Sequence, residues 1–481
     1  MSNSEQNRQT NFEAALTALS LDRSQGDPLH QQLTEALREM ILDGTAMPND
    51  RLPPSRVLAD ELMVSRATVV TALDQLASEG YLYGHRGAGT FVASDLPHLI
   101  TPKSRAPIAE IQSNSAKVVP FHPGIPDLRL FPYRQWARHL EAAWRRPAPE
   151  LLHHPDPFGW RPLRRAIADH LSAWRNVDCS AEQVVVTAGG SHAFTLIASF
   201  LGTQKPVMIE SPIYPIMQNC FEQAGLSCQA IPVDENGLNP AHLPNNASAA
   251  VVTPSRQFPL GMTMPVPRRL ALLDWAKNNK ALIIEDDYDS EFRYQGQPVP
   301  ALAGLDTEGL TIYMGSFSKL LSATLRLGYL VVPSQLVADF RDLTEASPMQ
   351  PSLTPQPALA TFMESGDFAR HIRKTRRLYG KRHRRLHELL AEHLEGFLVP
   401  TYQSTGMHIL CEIGPDARRF SDREIASLGE AAGLYLRPLS AYAQANPAIE
   451  GLVLGFAGFS EEELEEAVLK LSFAVRSSEK P

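Results

Sequence analysis

The 481-residue chain predicts a multidomain fold: an all-α N-terminal unit, then a larger α/β domain that closes in a small α+β lobe. Three observations carry this. Between residues 27 and 93 apolar residues recur at helical spacing in three short stretches. From Val119 onward short apolar runs alternate with helical patterns, and past about Pro355 helix dominates with a few strands, Met407 to Glu412 among them. A chain this long exceeds one ordinary core, so two or three domains are expected.

Hydrophobic content of 43% and 20% charge describe a soluble globular protein. Cys179, Cys220, Cys228 and Cys411 lack metal-ligand or paired spacing, which argues against a zinc site or a disulfide framework and fits a reducing compartment. The opening MSNSEQNRQT lacks a signal-peptide pattern, and no segment approaches the roughly 20 apolar residues a membrane helix requires. A cytoplasmic protein without membrane partners is expected. A net charge of −8 argues against wholesale nucleic-acid binding, which uses a basic face, so any such contact must be local.

Residues 1–26 are polar and read as a disordered N-terminus. Asp27-Pro28 reads as an N-cap followed by a first-turn proline. It opens a helix on Leu29, Leu33, Leu37 and Met40/Ile41 that stops near Gly44. Pro48, Pro53 and Pro54 break the chain. Ser55 then caps a second helix with Leu58 and Leu62 inward, and Val64 makes the turn. Ser65 caps a third helix, Arg66 to Glu79, with Val69, Leu73 and Leu76 on its buried side and Gly80 as stop signal. Two short helices joined by a tight turn are the pattern of a helix-turn-helix. YLYGHRGAGTFV follows, alternating apolar residues around a Gly-rich turn, and reads as a β-wing.

Residues 27–93 resemble the winged helix-turn-helix of the GntR family of bacterial transcription regulators. The resemblance implies that Arg56, Ser65, Arg66, Thr68, Arg86 and Gly87 approach double-stranded operator DNA, with Arg66 at the start of the recognition helix in the major groove and Arg86 on the wing. Between Asp22 and Val92 stand six arginines, no lysine and ten acidic residues, so recognition must rest on positioned arginines. One bidentate contact to guanine is worth about 1–3 kcal/mol of discrimination. A protein-docking module is the competing reading.

Residues 94–118 mix Pro, Ser and charge without period and read as a linker, long enough to let the DNA module reach a second subunit. The large lobe, about 119–354, follows. Its runs Val184 to Val186, Val207 to Ile209, Ala249 to Val252, Ala281 to Ile284, Ile312 to Met314 and Tyr329 to Val332 predict a largely parallel sheet covered on both faces. The small lobe spans about 355–481.

The chemistry centres on Thr311 to Val332, TIYMGSFSKLLSATLRLGYLVV. An apolar strand turns through Gly315 to Ser318 into Lys319, at the carboxyl end of a strand, where open α/β sheets bind ligands. A lysine partly stripped of water there can attack a carbonyl and form a Schiff base. Ser316, Ser318 and Arg326 supply two hydroxyls and a guanidinium suited to phosphate. A second anion site is read at Ala188-Gly189-Gly190-Ser191-His192, a Gly-rich strand-to-helix turn. Tyr214, after another strand, is placed to stack on a planar cofactor. Four apolar residues, Ala281 to Ile284, run into the three consecutive acids of IIEDDYDSEFRY at the same edge, which demands a cationic partner. A pyridinium facing an aspartate would serve; a metal is the competing reading, with no histidine at ligand spacing nearby.

From about Phe121 onward the chain resembles a fold-type I aminotransferase that uses pyridoxal 5'-phosphate (PLP). The resemblance implies that Lys319 holds the cofactor as an internal aldimine, Asp286 faces the pyridine nitrogen, Tyr288 binds the phenolate and Tyr214 stacks on the ring. Gly190, Ser191, Ser316, Ser318 and Arg326 would hold phosphate. HPGIPDLRLFPYRQW, DPFGWRPLRRAI, TPSRQFPLGMTMPVPRRL, EDDYDSEFRY and GSFSKLLSATLRLGYLV resemble, in order, the MocR/GabR-type subfamily of GntR regulators, which joins the two modules. A homodimeric, PLP-dependent DNA-binding regulator sensing a small amine, amino acid or PLP follows from that resemblance; a working aminotransferase with an accessory DNA-binding module is the alternative. Two departures bear on turnover. Phe258-Pro259-Leu260-Gly261 replaces the usual Asn-Pro-Thr-Gly turn, and Val453-Leu454-Gly455-Phe456 replaces an Arg-x-x-Phe carboxylate clamp, with Arg437 a substitute for the effector's carboxylate. Finally, Arg370 to Arg385 holds nine Lys plus Arg and no acid. It reads either as a solvated helix face packed through Ile372 and Leu378 or as a second DNA contact.

Overall fold

The computed structural model of the protein describes residues 16, 19, 21–23, 26–85, 89–96, 118–153, 156–297, 299–443 and 449–478. The chain divides into two compact units, residues 1–113 and 114–481.

The first unit contains α1 (Leu29–Leu42), α2 (Ser55–Glu61), α3 (Arg66–Ser78) and a hairpin of β1 (Leu82–His85) and β2 (Gly89–Val92). The apolar stripes meet in one core: Leu33, Leu37 and Ile41 of α1, Leu58 of α2, and Val69, Leu73 and Leu76 of α3. Ser65 caps α3 as its sequence predicts, accepting the Thr68 N–H at 3.1 Å. Asp27 and Ser55 do not cap. Pro28 and Pro54 occupy those positions with φ −57° and −55° and no side-chain acceptor, because proline's fixed φ already pre-sets the chain for helix entry. The tight turn between α2 and α3 is made at Met63, with φ +50°, rather than at Val64, whose N–H bonds back to Ala59 O at 3.0 Å. Leu16, inside the stretch read as disordered, is 1% exposed and belongs to this core, with Leu19 and Leu21 against it. Leu16, Leu19 and Leu21 stand together in FEAALTALSL, an apolar signal that the polar residues on either side obscured. Arg86 and Gly87, which the sequence assigns to the wing, lie outside the described residues.

The second unit runs α4 (Tyr133–Arg145), α5 (Arg161–Arg175), β3 (Val184–Thr187), α6 (Gly190–Leu201), β4 (Val207–Ser211), α7 (Pro215–Gln223), β5 (Cys228–Asp234), β6 (Gly237–Leu238), β7 (Ala249–Val252), α8 (Val266–Asn279), β8 (Leu282–Asp287), β9 (Thr311–Ser316), β10 (Gly328–Val331), α9 (Val337–Ala346), α10 (Gln356–Glu364), α11 (Asp367–His393), β11 (Leu398–Pro400), β12 (His408–Ile413), α12 (Asp422–Ala431), β13 (Arg437–Pro438), β14 (Leu452–Gly455) and α13 (Glu461–Ser477). Eight strands form one sheet in the order β3-β10-β9-β8-β7-β4-β5-β6. Successive residues of its strands enter cores on opposite faces, as Val185 against Val186, Ile283 against Ile284, and Ile312 against Tyr313 show. That is why these strands read as unbroken apolar runs. The run Tyr329 to Val332 departs from the expected direction, since β10 is antiparallel to both β9 and β3. The connection from β9 is too short to carry a crossover and can only return the chain alongside. β3, β9, β8, β7 and β4 therefore all end at one edge. A four-stranded antiparallel sheet, β11-β12-β14-β13, and α11 packed on α13 make the C-terminal lobe.

Candidate ligand site and nucleic-acid interface

The shared carboxyl edge of the strands opens into a cavity of about 310 Å³. Lys319, in the turn after β9, reaches into it and donates from Nζ to the Gly124 carbonyl at 2.8 Å. Burial pushes its amine below the ordinary lysine range, opposed by the charges of Asp289 and Asp286. Gly124 has φ +73°, and a Cβ there would stand 2.7 Å from the lysine Nζ, so only glycine permits this approach.

The three acids of β8 divide by the alternation of a strand. Glu285 accepts the Leu302 and Ala303 N–H groups at 2.9 and 2.8 Å. Asp287 pairs with Arg175 Nε at 2.8 Å and accepts from Tyr313 Oη at 2.6 Å. Asp286, between them, turns to the cavity and has no hydrogen-bond or ion-pair partner among the described residues. Burial, reinforced by Asp287, Glu210 and Asp289 and opposed by Lys319, holds its carboxyl up at about 8. An unpartnered carboxyl with so high an affinity for a proton fits a ligand that brings a protonated ring nitrogen.

Opposite charge is provided for at the cavity's other end. α6 begins at Gly190 with no side-chain cap, after Gly189 at φ +86°, so its first N–H groups and helix dipole face outward. Gly190, Ser191, Ser316, Ser318 and Arg326 all line the cavity there. The Arg326 guanidinium lies over Gly189, about 4.0 Å from where a Cβ would be. Ser316 Oγ accepts the Ser318 N–H at 3.2 Å. Hydroxyls, free N–H groups and a guanidinium are a donor set for a phosphate-like anion.

Tyr214 and Tyr288 line the walls. Phe258, which stands where the usual turn carries asparagine, packs edge-on against the rings of Tyr214, Tyr288, His408 and Tyr442, with centroids 5.2–5.6 Å away. Sequence reading did not single out Gly124, Asp289, His408 or Arg256. Arg256 is 2% exposed and donates to Tyr288 Oη at 2.9 Å and to His408 O at 3.1 Å, with Asp289 3.5 Å away. Its place two residues before Phe258 in the motif turn was the available signal. Arg437 does not line the cavity. It stands beside it, 3.3 Å from Tyr435 Oη and over the Tyr442 ring at 5.3 Å.

On the first unit, Arg56 and Arg66 are exposed in the first turns of α2 and α3. Arg66 Nε lies 3.4 Å from Ser55 Oγ, which ties the two helix starts together. Ser65 and Thr68 share a hydroxyl hydrogen bond of 2.9 Å, so Ser65 is engaged in capping.

Residues 29–92 match the family of bacterial regulatory proteins, gntR family, and residues 134–471 match aminotransferase class I and II. The chain is 36% identical over 473 residues, 95% of each protein, to the "Probable rhizopine catabolism regulatory protein MocR" of Rhizobium meliloti. It is 34% identical to the HTH-type pyridoxine biosynthesis transcriptional regulator PdxR of Corynebacterium glutamicum, covering 95% of this chain and 98% of that one. The chain belongs to the MocR-type GntR regulators. Among solved structures, the MocR-type chain is similar in fold to kynurenine aminotransferase of Pyrococcus horikoshii, with a TM-score of 0.68 and 23% identity over 76% of this chain and 93% of that one. It is also similar to the α-aminoadipate aminotransferase LysN of Thermus thermophilus, complexed with N-(5'-phosphopyridoxyl)-L-leucine, with a TM-score of 0.67 and 22% identity over 74% and 92%. This MocR-type protein is thus a DNA-binding transcription regulator with an aminotransferase-like second unit, and no helix among its described residues is long and apolar enough to cross a membrane.

Proposed function

We propose that this MocR-type regulator holds PLP at Lys319 and reads a small amine, an amino acid or PLP itself there, with operator affinity as the output. One arrangement carries the reading: a lysine amine, an unpartnered carboxyl and an uncapped helix start line a single cavity. When bound, the cofactor supplies an electrophilic carbon open to amines. Burial keeps the Lys319 amine nearer its neutral, attacking form. Asp286 pairs with the ring nitrogen. Tyr288 accepts from Arg256, so its own proton is free for the ring's oxygen, and Tyr214 covers the ring's face. Gly190, Ser191, Ser316, Ser318 and Arg326 hold the phosphate, and Arg437 takes an effector's carboxylate.

On the DNA side, Arg56, Arg66 and Thr68, with Ser65 as cap and Arg86 and Gly87 on the wing, contact the operator. A cytoplasmic homodimer would read two half-sites. The coupling required between ligand and DNA is modest, about 1–3 kcal/mol. Borohydride treatment of PLP-saturated protein is the direct test. It should fix the cofactor's mass on the peptide containing Lys319, and Lys319→Ala should abolish both that adduct and ligand-dependent changes in operator binding. An adduct on another lysine, or none, overturns the reading.

A further inference from the structure

The dense basic run of α11 is resolved by the fold into two sets. Four of its nine cations are taken up internally. Arg382 is buried 2.8 Å from Asp127, Arg385 pairs with Glu465 at 3.0 Å, Arg370 pairs with Asp367, and Arg376 lies over the Trp174 ring at 4.6 Å. The other five, Arg373, Lys374, Arg377, Lys381 and Arg384, are exposed, and none has a hydrogen bond or an acidic partner among the described residues. Their spacing keeps them on one side of the helix. At 1.5 Å per residue the stripe is about 16 Å long. The opposite side is anchored, with Phe368, Ile372, Tyr379 and Leu386 buried in the core of the unit, so the stripe is held on a packed element.

A solvated helix face ordinarily mixes signs, as the exposed pair Lys470–Glu466 on α13 does. Five unrelieved like charges at helical spacing repel one another, and a polyanion laid along them would replace that repulsion with attraction. The same protein binds DNA through a unit that carries, between Asp22 and Val92, ten acidic residues against six arginines. That unit can specify bases but is poorly provided for neutralising phosphates.

We propose that the stripe Arg373–Lys374–Arg377–Lys381–Arg384 is a second, sequence-independent contact to the phosphate backbone of duplex DNA. Duplex DNA presents about one charge per 1.7 Å of axis, so a rigid stripe of this length lies alongside several phosphates at once. The contact positions DNA without reading it, and is independent of any ligand at Lys319.

The test is salt-dependent binding of the full chain to a random-sequence duplex. Each lost phosphate contact should flatten the slope of log affinity against log salt by about 0.9. Arg373→Gln/Arg377→Gln/Lys381→Gln should therefore flatten it by about 2–3 units and weaken random and promoter DNA by the same factor. A control, Arg145→Gln/Arg161→Gln/Lys277→Gln, removes the same charge from surface ion pairs elsewhere on the unit and should leave the slope unchanged. Arg373→Lys/Arg377→Lys should keep the parent slope, because phosphate contact needs charge rather than the guanidinium fork. A parent slope in the Gln variant, or equal flattening by the control, overturns the proposal. So does an unchanged slope accompanied by altered self-association, which would make the stripe a subunit contact.

Discussion

Arg437 stands directly across from Val453 in the antiparallel pairing of β13 with β14. Val453 occupies the position at which the aminotransferase pattern carries its carboxylate-binding arginine, and here it is fully buried against Leu410, Leu439 and Tyr442. Cross-strand neighbours share a face of the sheet. A guanidinium is thus delivered to the same neighbourhood from the adjoining strand, beside the Tyr442 ring. Arg437→Gln should weaken the response to amino acids about 10–150-fold, the loss of one charge-assisted hydrogen bond, and leave the response to amines without a carboxylate unchanged. Spectral titration of the PLP-loaded protein with each pair of ligands measures this. Equal losses for both classes would remove Arg437 from the site.

If Asp286 pairs with the ring nitrogen of PLP as proposed, cofactor binding depends on pH with a definite sign. Without cofactor its carboxyl is held up at about 8, so below that pH the proton needed by a pyridinium is already in the site. Above it the proton must come from solvent. The affinity ratio of parent to Asp286→Asn for PLP should be level below about pH 8 and fall above it, approaching tenfold per pH unit. Taking the ratio cancels the opposite contribution of Lys319, whose amine is freed as pH rises in both proteins. A ratio that stays flat or climbs above pH 8 contradicts the pairing.

The chemistry of the site was legible where chemistry is local in sequence. Lys319 after a Gly/Ser turn, three acids ending an apolar run and Gly189-Gly190 before a helix each announce a strand end, and the structure gathers them because β3, β8 and β9 share a direction. What escaped is what depends on distant chain. Gly124 meets Lys319 across 195 positions, and His408 meets Arg256 across 152. The opposed β10 escaped too, since an apolar run has no direction. Cap positions at Pro28 and Pro54 were misread by one residue because proline and the flanking polar residue both suit a helix start.

Phe258 bears on turnover. Its ring, wedged among Tyr214, Tyr288, His408 and Tyr442, offers an apolar edge where the asparagine of an aminotransferase would offer an amide to the cofactor's oxygen. Binding an amine needs only the electrophile, whereas turnover needs the substrate held in register. Steady-state amino transfer with common amino acids should stay below the ordinary enzyme range of about 1–1,000 per second, even where the spectrum shows that the amine has bound. A rate inside that range would make the second unit a working enzyme.

Arg66 begins α3 and its Nε lies 3.4 Å from Ser55 Oγ at the start of α2, so its guanidinium is exposed yet loosely guided, as a side chain aimed at a base edge requires. Arg56, one residue into α2, is exposed with it. Arg66→Ala should cost about 1–3 kcal/mol against the operator and relax preference at one base position. Arg56→Ala, if its contact is to phosphate, should lower affinity for operator and random DNA alike and flatten the salt slope by about one unit. Both residues belong to the first unit and Lys319 to the second, so the PLP spectrum should match the parent's. Competition of labelled operator against random duplex, with each variant, separates the two effects. If Arg66→Ala keeps the parent's ratio of operator to random affinity, α3 is not the element that reads the bases.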